Sequence, residues 1–347
     1  MMLGDLGADV IKVERPGQGD ESRGWGPPFD ADGESAYYLC CNRNKLSVAL
    51  DLDVTTDREL LDQLMRGTDV VLENFREGAM ANRGIAASEW LERNPNLIWC
   101  TISGFGPGID RPGYDFVVQA ESGWMSITGD PSGSPMKTGV ALADVLSGKD
   151  ATIAILGALL ARERSLEPLP ATDRHLHIAL SHSATAALIN VAQNTLVSGD
   201  DPRRWGNAHP NLVPYQLFDA RDRQVVIAVG NDSQWRAACR ALGLDALAAD
   251  ETLNTNAGRL AQRSRVVGSI AERLTTASAS HWLGALAAAG VPGGVVRSVR
   301  DALSDVAASP VTGVSPSVPG TVRLRPPRLD EHGAAIRREG WGVFHHK

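Results

Sequence analysis

The chain has 347 residues, of which 43% are hydrophobic and 22% are charged, and its formal net charge at pH 7 is −7. This composition indicates a globular protein with a sizeable core, and the negative charge argues against a general nucleic-acid surface. No apolar stretch reaches the length of a membrane span and no signal-peptide pattern opens the chain, so we expect a cytoplasmic protein without membrane or nucleic-acid partners. The cysteines lack metal-binding spacing, so we expect no metal site and buried thiols at Cys40, Cys41, Cys100 and Cys239.

The first half of the chain predicts alternating strands and helices. Thr56 opens a helix with capping-box spacing and Gly67 ends it, and apolar or β-branched runs lie on both sides. Strand, helix and strand in this order predict a parallel sheet in an α/β fold. The predicted strands are 10–13, 46–52, 69–72, 97–103 and 177–180, and two further helices are expected at 144–163 and 183–197.

Asp144 is the most informative residue, because it is an acid at the point where an apolar helix begins. The residues that follow are rich in Ala, Ile and Leu, so we expect the carboxylate at the mouth of a buried helix and away from the solvated face. Two interpretations are open, a helix N-cap and a catalytic nucleophile. The residues by themselves favour the cap, since Asp is a preferred N-cap residue and an acid is stabilised by the helix dipole.

The second half of the chain predicts a smaller α+β domain. A polar stretch of turn formers at 203–210 indicates a linker. The predicted domains are 1–205 (large, α/β), 206–309 (small, α+β) and 310–347, a C-terminal segment that returns to the large domain. Within the last two, strands are expected at 224–229, 294–297 and 322–324, and helices at 234–242, 258–274 and 281–289.

Common catalytic and nucleotide-binding motifs are absent from the sequence. Gly104-Phe-Gly-Pro-Gly108 follows a predicted strand, but its third glycine comes too early for a dinucleotide fingerprint and Pro107 would interrupt the helix start. There is also no P-loop, nucleophile elbow or HExxH sequence. Single motifs therefore assign no chemistry.

A series of short segments, ordered along nearly the whole chain, carries a more specific pattern. They include Leu6-Gly-Ala-Asp-Val-Ile-Lys-Val-Glu-Arg15, Glu73-Asn-Phe-Arg76, Arg111-Pro-Gly-Tyr-Asp115 and Gly139-Val-Ala-Leu-Ala-Asp144. Together with 19–25, 42–45, 50–52, 102–106 and 290–292, they resemble the class III CoA-transferases (CaiB/BaiF type), which include formyl-CoA transferase and α-methylacyl-CoA racemase. The segments 205–209, 213–216 and 229–235 resemble the branch that handles short dicarboxylates such as succinate and glutarate.

The resemblance implies an architecture. It predicts a doubly wound, mostly parallel Rossmann-like sheet in a large CoA-binding domain, a smaller α+β domain, and an interlocked homodimer. Members of the family have a strand and a turn upstream of the position of Met1, so we expect a sheet that lacks its usual first strand.

The resemblance also implies that Asp144 is the nucleophile of a CoA-transferase. Its carboxylate would form a mixed anhydride with the donor acyl group and then an aspartyl-CoA thioester, before CoA passes to a small acid. Tyr114 and Asp115 are further catalytic candidates. Racemases of the family carry His at the position of Tyr114, and a phenol is a poor base near neutral pH, so transfer is favoured over racemisation.

Binding residues follow from the same resemblance. No permanently bound cofactor is expected, because CoA thioesters are substrates. One departure is Asn82, where the family usually has Arg. The CoA-binding candidates are Arg15, Trp25, Asn74, Phe75, Arg76, Arg83 and Lys137, and the substrate-side candidates are Arg204, His209, Gly230 and Asn231.

Two alternatives stay open at this point. One is an acyl-CoA racemase or epimerase of the same family. The other is a non-catalytic homologue that binds CoA esters, because the turn 170–174, the region of His182 and the shortened tail depart from the family pattern.

Overall fold

A computed structural model describes residues Met1–His345, and the chain divides into two compact units. Unit 1 comprises residues 1–124, 138–193 and the chain from 303 onward, and unit 2 comprises residues 125–137 and 194–302.

The strands of unit 1 confirm a mixed α/β fold with parallel sheets. β1 (Ile11–Glu14) pairs with β2 (Leu46–Ala49) in parallel. A second parallel sheet has the order β3 (Val70–Glu73), β4 (Ile98–Ser103) and β5 (His175–Ala179). Parallel neighbours need a crossover, and helices lie in the connections between β1 and β2, between β3 and β4, and between β4 and β5.

Unit 2 is built around an antiparallel sheet. β6 (Tyr215–Asp219) pairs with β7 (Gln224–Ala228), which pairs with β8 (Gly293–Val295). One apolar cluster packs on this sheet and includes the buried rings of Trp235 and Trp282. Two short strands of unit 1, β9 (Ala308–Ser309) and β10 (Gly313–Val314), form a separate antiparallel pair.

Helices make up most of the remaining regular structure. In chain order they are α1 Met2–Asp5, α2 Ala36–Leu39, α3 Thr55–Arg66, α4 Ala87–Arg93, α5 Asp115–Glu121, α6 Trp124–Ile127, α7 Leu142–Arg164, α8 Ala171–Arg174, α9 Leu180–Ala186, α10 Ile189–Ser198, α11 Asp232–Leu242, α12 Asp245–Ala248, α13 Asn256–Ala261, α14 Arg263–Leu274, α15 Ala279–Ala288, α16 Val299–Leu303 and α17 Gly333–Glu339. Single 3₁₀ turns occur at Glu21–Gly24, Ala81–Arg83, Glu251–Leu253 and Gly340–Phe344.

The long helix α7 has two different faces. Small residues lie on the buried face, where Ala143 packs against Val118 and Leu180, and Ala151 packs in a cluster with Cys100. Their size allows a close approach of α7 to the helices and strands beneath it. The opposite face is exposed and mostly apolar, with Val145, Ile153, Leu156 and Leu160, and the exposed Lys149 lies between Val145 and Ile153. The prediction of a buried helix is therefore correct for one face only.

Buried ion pairs fix the beginning of unit 1. The Arg23 guanidinium lies 2.8 Å from Oε1 of Glu14, and the Arg43 guanidinium lies 2.8 Å from Oδ2 of Asp5. Nη2 of Arg23 also donates to the hydroxyl of Tyr38, which in turn donates to the carbonyl of Pro327. Several residues of the family segments thus hold β1, β2 and the C-terminal segment together.

The structure corrects four predictions. The strand expected at 322–324 is wrong, because Oδ1 of Asn44 accepts the backbone N–H groups of Arg323 and Leu324 at 2.6 and 2.9 Å, in place of a neighbouring strand. The helix expected at 183–197 is divided at Ile189, whose φ is +43°. The helix expected at 258–274 is divided at Gln262. Cys40 and Cys41 are exposed, whereas Cys100 and Cys239 are buried as expected.

Candidate active site

Asp144 lies in the first turn of α7 but does not cap it. The N-cap residue is Ala141, and Asp144 is the third residue of the helix. Its side chain is exposed in the single chain and makes no hydrogen bond to any residue between Met1 and His345. The predicted placement away from the solvated face is therefore correct only in part, because the residue is accessible to a ligand while the surrounding protein still desolvates its carboxylate.

Asp115 makes the contact that an N-cap would make. Its Oδ1 accepts the backbone N–H of Ala143 at 2.8 Å, which satisfies one of the free donors at the start of α7. Its Oδ2 accepts Nε2 of Gln119 at 2.7 Å. Gln119 is fully buried, and its Oε1 accepts the backbone N–H of Thr138 at 2.9 Å. Asp115 and Gln119 therefore position the segment that leads into Asp144.

The electrostatic environment of Asp144 disfavours its ionised form. Burial and, after it, the negative charge of Asp115 raise the pKa of Asp144 to about 6. Among residues 1–345 no cation or hydrogen-bond donor offsets these effects, so the carboxylate of Asp144 is poorly stabilised in its ionised form. A carboxylate in this condition is a stronger base and nucleophile than an ordinary surface aspartate, while above pH 6 it is still ionised.

Tyr37 and Trp25 lie in the same neighbourhood. Burial and then the negative charge of Asp144 raise the pKa of Tyr37. The indole of Trp25 packs edge-to-face on the Tyr37 ring, with 5.0 Å between ring centroids. Both rings are about half exposed, so they offer an apolar surface near Asp144. Trp25 was predicted from the sequence as a binding residue, whereas Tyr37 was missed.

A thiol pair adjoins Tyr37. The Sγ atoms of Cys40 and Cys41 lie 3.4 Å apart. The hydrogen bond from Cys40 lowers the pKa of Cys41 to about 6, and the charge of Asp144 opposes this effect. Sequence reasoning assigned these thiols to the core, because nothing in the local pattern distinguishes an exposed cysteine pair from a buried one.

Tyr114 precedes Asp115 as the N-cap residue of α5. Its ring is 63% exposed, and it makes no side-chain cap bond. The residue is therefore adjacent to Asp115 in the chain while its ring extends into solvent.

The predicted nucleotide-binding turn follows β3. Oε2 of Glu73 accepts the backbone N–H of Phe75 at 2.8 Å, which fixes the turn, and the Phe75 ring is 54% exposed. Arg76 forms an exposed bidentate ion pair with Asp110 at 3.1 and 3.2 Å. The turn thus presents an aromatic ring and a cation to solvent.

Arg15 and Arg83, the other predicted cations of unit 1, are exposed. Nε of Arg15 donates to the carbonyl of Gly19 at 3.1 Å. Arg83 ends a 3₁₀ turn that also contains Asn82, and its carbonyl accepts a hydrogen bond from Arg58 at 2.8 Å.

The remaining candidates belong to unit 2. Arg204 donates to the backbone carbonyls of Asp130 and Gly133, at 3.1 and 2.8 Å, and therefore clamps a loop. Nδ1 of His209 accepts the backbone N–H of Asn211, and its ring packs on Tyr215. The other three candidates are in loops or at a cap: Asn231 caps α11 through Gln234, Gly230 donates to Oε1 of Gln234, and Lys137 is exposed.

Within residues 1–345 there is no group of His, Cys, Asp and Glu side chains that could hold a metal ion. In the same residues no helix is both long and apolar enough to cross a membrane.

The chain is similar to known proteins over most of its length. The sequence model of CoA-transferase family III matches residues 1–332. A succinate–glutarate CoA-transferase from Agrobacterium fabrum is 43% identical over 312 residues, which cover 88% of this chain and 77% of that protein. A succinyl-CoA:glutarate CoA-transferase from Mus musculus is 38% identical over 308 residues, covering 88% of this chain and 69% of that protein. The crystal structure of a CaiB/BaiF family protein from Brucella suis superposes with a TM-score of 0.83 at 40% identity, covering 97% of this chain and 93% of that one.

Proposed function

We propose that this chain, which belongs to CoA-transferase family III and is a CoA-transferase, moves CoA between an acyl-CoA donor and a small dicarboxylic acid with Asp144 as the covalent carrier. The observation that carries the proposal is the state of Asp144. Its carboxylate is exposed at the start of α7, has no hydrogen-bond partner within the described chain, and has a pKa raised to about 6.

The proposed reaction alternates between carboxylate and thiolate attack. An oxygen of Asp144 attacks the thioester carbonyl of the donor, the C–S bond breaks, and an aspartyl mixed anhydride and CoA thiolate form. The thiolate attacks the aspartyl carbonyl and releases the donor acid, which leaves an aspartyl-CoA thioester. The acceptor carboxylate repeats these two steps in reverse and regenerates Asp144. Covalent catalysis divides one difficult exchange into easier steps.

Asp115 would act as a positioning residue in this reaction. Its hydrogen bond to Ala143 fixes the first turn of α7, and its charge contributes to the raised pKa of Asp144. Tyr114 is proposed as a neighbouring substrate contact, since its exposed ring adjoins Asp115 in the chain.

We further propose that CoA uses the exposed groups of unit 1. An adenine ring can stack on the Phe75 ring, and phosphates suit the forked donors of Arg15 and Arg76. Arg76 would exchange Asp110 for phosphate, which is feasible because both members of this ion pair are more than half exposed. Trp25, Asn74 and Arg83 complete the proposed CoA-binding set of unit 1, and Lys137 of unit 2 stays a separate proposal for CoA binding.

The dicarboxylate assignment rests on the relatives. Two of them are named for succinate or succinyl-CoA and glutarate. His209, Gly230 and Asn231 of unit 2 stay proposals for the acceptor side. Arg204 also stays a proposal for the acceptor side, and two nitrogens of its guanidinium donate to backbone carbonyls of a loop.

A second copy of the chain is the proposed partner. Val145, Ile153, Leu156 and Leu160 form an exposed apolar stripe along α7, and Ile189, Leu196 and Val197 are exposed on α10. Apolar surface of this extent usually marks an interface. We propose that an interlocked homodimer, which the family resemblance implies, covers this apolar surface. The cytoplasmic location stays a prediction.

The proposal is tested by incubating the protein with succinyl-CoA and a panel of dicarboxylates and separating the CoA esters. We expect new CoA esters from short dicarboxylates and none from the Asp144→Ala variant. The same reaction in deuterated water distinguishes the racemase alternative, because α-deuterium incorporation without acyl transfer would contradict a transferase. CoA-ester binding without either reaction would indicate a non-catalytic homologue.

A further inference from the structure

Unit 2 contains a cavity of about 560 Å³ whose lining residues all belong to that unit. Its walls include Arg203, Trp205, Gln262, Arg263 and Arg265. None of these residues entered the predicted site.

Two guanidinium groups lie against one indole in this cavity. The guanidinium carbon of Arg203 is 3.9 Å from the ring centroid of Trp205, and that of Arg263 is 4.6 Å from it. Cation–π contacts of this length orient the guanidinium groups without neutralising them. Neither arginine forms an ion pair with a carboxylate in the part of the chain that the structure describes.

Arg263 is only partly satisfied by the protein. Its Nη2 donates to the carbonyls of His209 and Pro210 at 3.0 and 2.8 Å. Its Nη1 is buried and has no hydrogen-bond partner among the described residues. Burial and then the positive charge of Arg203 lower the pKa of Arg263, so the two like charges are held together at a cost. The charge of Arg263 is therefore not compensated by the protein, which favours an anion in the cavity that its side chain lines.

The start of α14 adds positive potential to the same wall. α14 is 12 residues long and begins at Arg263, and its N-cap residue Gln262 makes no side-chain cap bond. The N–H groups of the first turn and the helix dipole therefore favour negative charge at the cavity. Arg265 is already paired with Asp250 at 2.6 Å, which leaves Arg203 and Arg263 for a ligand.

We propose that this cavity binds a small oxyanion with two negative charges, held between Arg203 and Arg263. The shared chemistry is a pair of ionised oxygens that accept from two guanidinium forks. A phosphate group and a short dicarboxylate both provide it. The site is built from unit 2 alone. For a dicarboxylate it rests on the proposed function, as a place for the acceptor acid, whereas for a phosphate it is separate from the CoA-transfer reaction proposed for Asp144.

Calorimetric titration of the full-length protein with inorganic phosphate, and separately with glutarate, tests the proposal at low ionic strength. Arg203→Gln is the diagnostic variant, because it removes the guanidinium that packs on the Trp205 ring while Arg263 keeps its contacts to the carbonyls of His209 and Pro210. We expect binding of at least one of the two anions to weaken roughly tenfold, as for the loss of one charge-assisted hydrogen bond. Sensitivity with phosphate only or with glutarate only identifies the source of the oxyanion.

Arg236→Gln is the matched control. Arg236 is an exposed arginine of unit 2 that does not line the cavity, and its replacement removes the same charge. We expect it to leave the affinity unchanged. Equal weakening by Arg203→Gln and Arg236→Gln would indicate general electrostatics and overturn the site. The site would also be overturned if Arg203→Gln left the affinity for both anions unchanged, or if neither anion bound at all.

Discussion

Two acidic side chains of unit 1 have opposite environments. Glu14, in β1, is 5% exposed and accepts hydrogen bonds from Arg23, from the hydroxyl of Ser47 and from the backbone N–H of Asp20. Burial would raise the pKa of Glu14, but these donors outweigh it and leave the pKa below the usual value. Asp144 has a burial effect of the same sign and no donor, so its pKa rises to about 6.

This difference in hydrogen bonding distinguishes a carboxylate that stabilises the fold from one that is available for reaction. A buried carboxylate whose acceptors are all used stabilises the folded state and is inert, whereas a carboxylate without partners is costly to ionise and remains reactive. Asp115 is intermediate, because it is bonded to Ala143 and Gln119 and influences Asp144 through charge.

Replacing Asp144 with Asn should abolish transfer without loss of stability. We expect kcat to fall by roughly 1,000-fold or more, because an amide cannot form the anhydride. Above pH 6 the free energy of unfolding should stay equal or rise slightly, since the variant removes an ionised group that the fold disfavours. Steady-state kinetics and urea denaturation measure the two effects. An active variant, or one that is inactive only because it unfolds, would contradict the comparison.

Replacing Arg23 with Ala should have the converse effect. Glu14 would remain buried without its cation, and the free energy of unfolding should fall by about 3–5 kcal/mol. Urea denaturation measures this loss, and kcat of the folded fraction should change little. Arg66→Ala is the control, because the ion pair of Arg66 with Asp62 is exposed and should contribute less than about 0.5 kcal/mol. A similar loss in both variants would remove the distinction between buried and exposed pairs.

The pH dependence of activity should follow Asp144. kcat/KM should be half-maximal near pH 6 and fall about tenfold per pH unit below it, because only the ionised carboxylate attacks. In Asp115→Asn the midpoint should move to lower pH, since one of the charges that raise the pKa of Asp144 is gone. A pH–rate profile of both proteins measures the shift, and an unchanged midpoint would exclude this coupling.

Protonation of Glu14 and protonation of Asp144 should have opposite effects on the free energy of unfolding at acid pH. The pKa of Glu14 is lowered in the folded state, so its contribution to stability is present above its unfolded pKa and is lost as the pH falls through its folded pKa. The pKa of Asp144 is raised in the folded state, so protonation of Asp144 favours the fold below about pH 6. Activity should therefore be lost at a higher pH than structure, which circular dichroism and activity assays on the same samples can compare.

The smallest effect is expected at the exposed turn. Arg76→Ala breaks an exposed ion pair with Asp110, so the free energy of unfolding should change by less than about 0.5 kcal/mol. If Arg76 contacts a phosphate of CoA, KM for the acyl-CoA should rise roughly fivefold with little change in kcat. An unchanged KM would remove Arg76 from the proposed CoA site.

The sequence predicted the regular elements of unit 1 well. Each of its five parallel strands overlaps a predicted run, and the predicted helix at 144–163 corresponds to α7. These elements have periodic apolar patterns, which are local and therefore visible in the sequence. Asp144 itself was identified by the resemblance and not by the pattern, which favoured a cap.

Contacts between distant residues could not be predicted. The cap of α7 comes from Asp115, 28 residues before Ala143. In place of the predicted strand at 322–324, the backbone N–H groups of Arg323 and Leu324 donate to Oδ1 of Asn44. Side-chain-to-backbone hydrogen bonds of this kind depend on tertiary proximity and leave no periodic signal. The exposure of Cys40 and Cys41 and the cavity beside Arg263 were missed for the same reason.

Covalent trapping tests directly whether Asp144 is the covalent carrier in CoA transfer. The protein is incubated with succinyl-CoA and hydroxylamine, digested, and its peptides are analysed by mass spectrometry, with a sample lacking acyl-CoA as the control. The account predicts a hydroxamate at Asp144 that depends on acyl-CoA, together with loss of activity. Modification of the neighbouring Asp115 in place of Asp144, or full transfer activity with Asp144 unmodified, would contradict it.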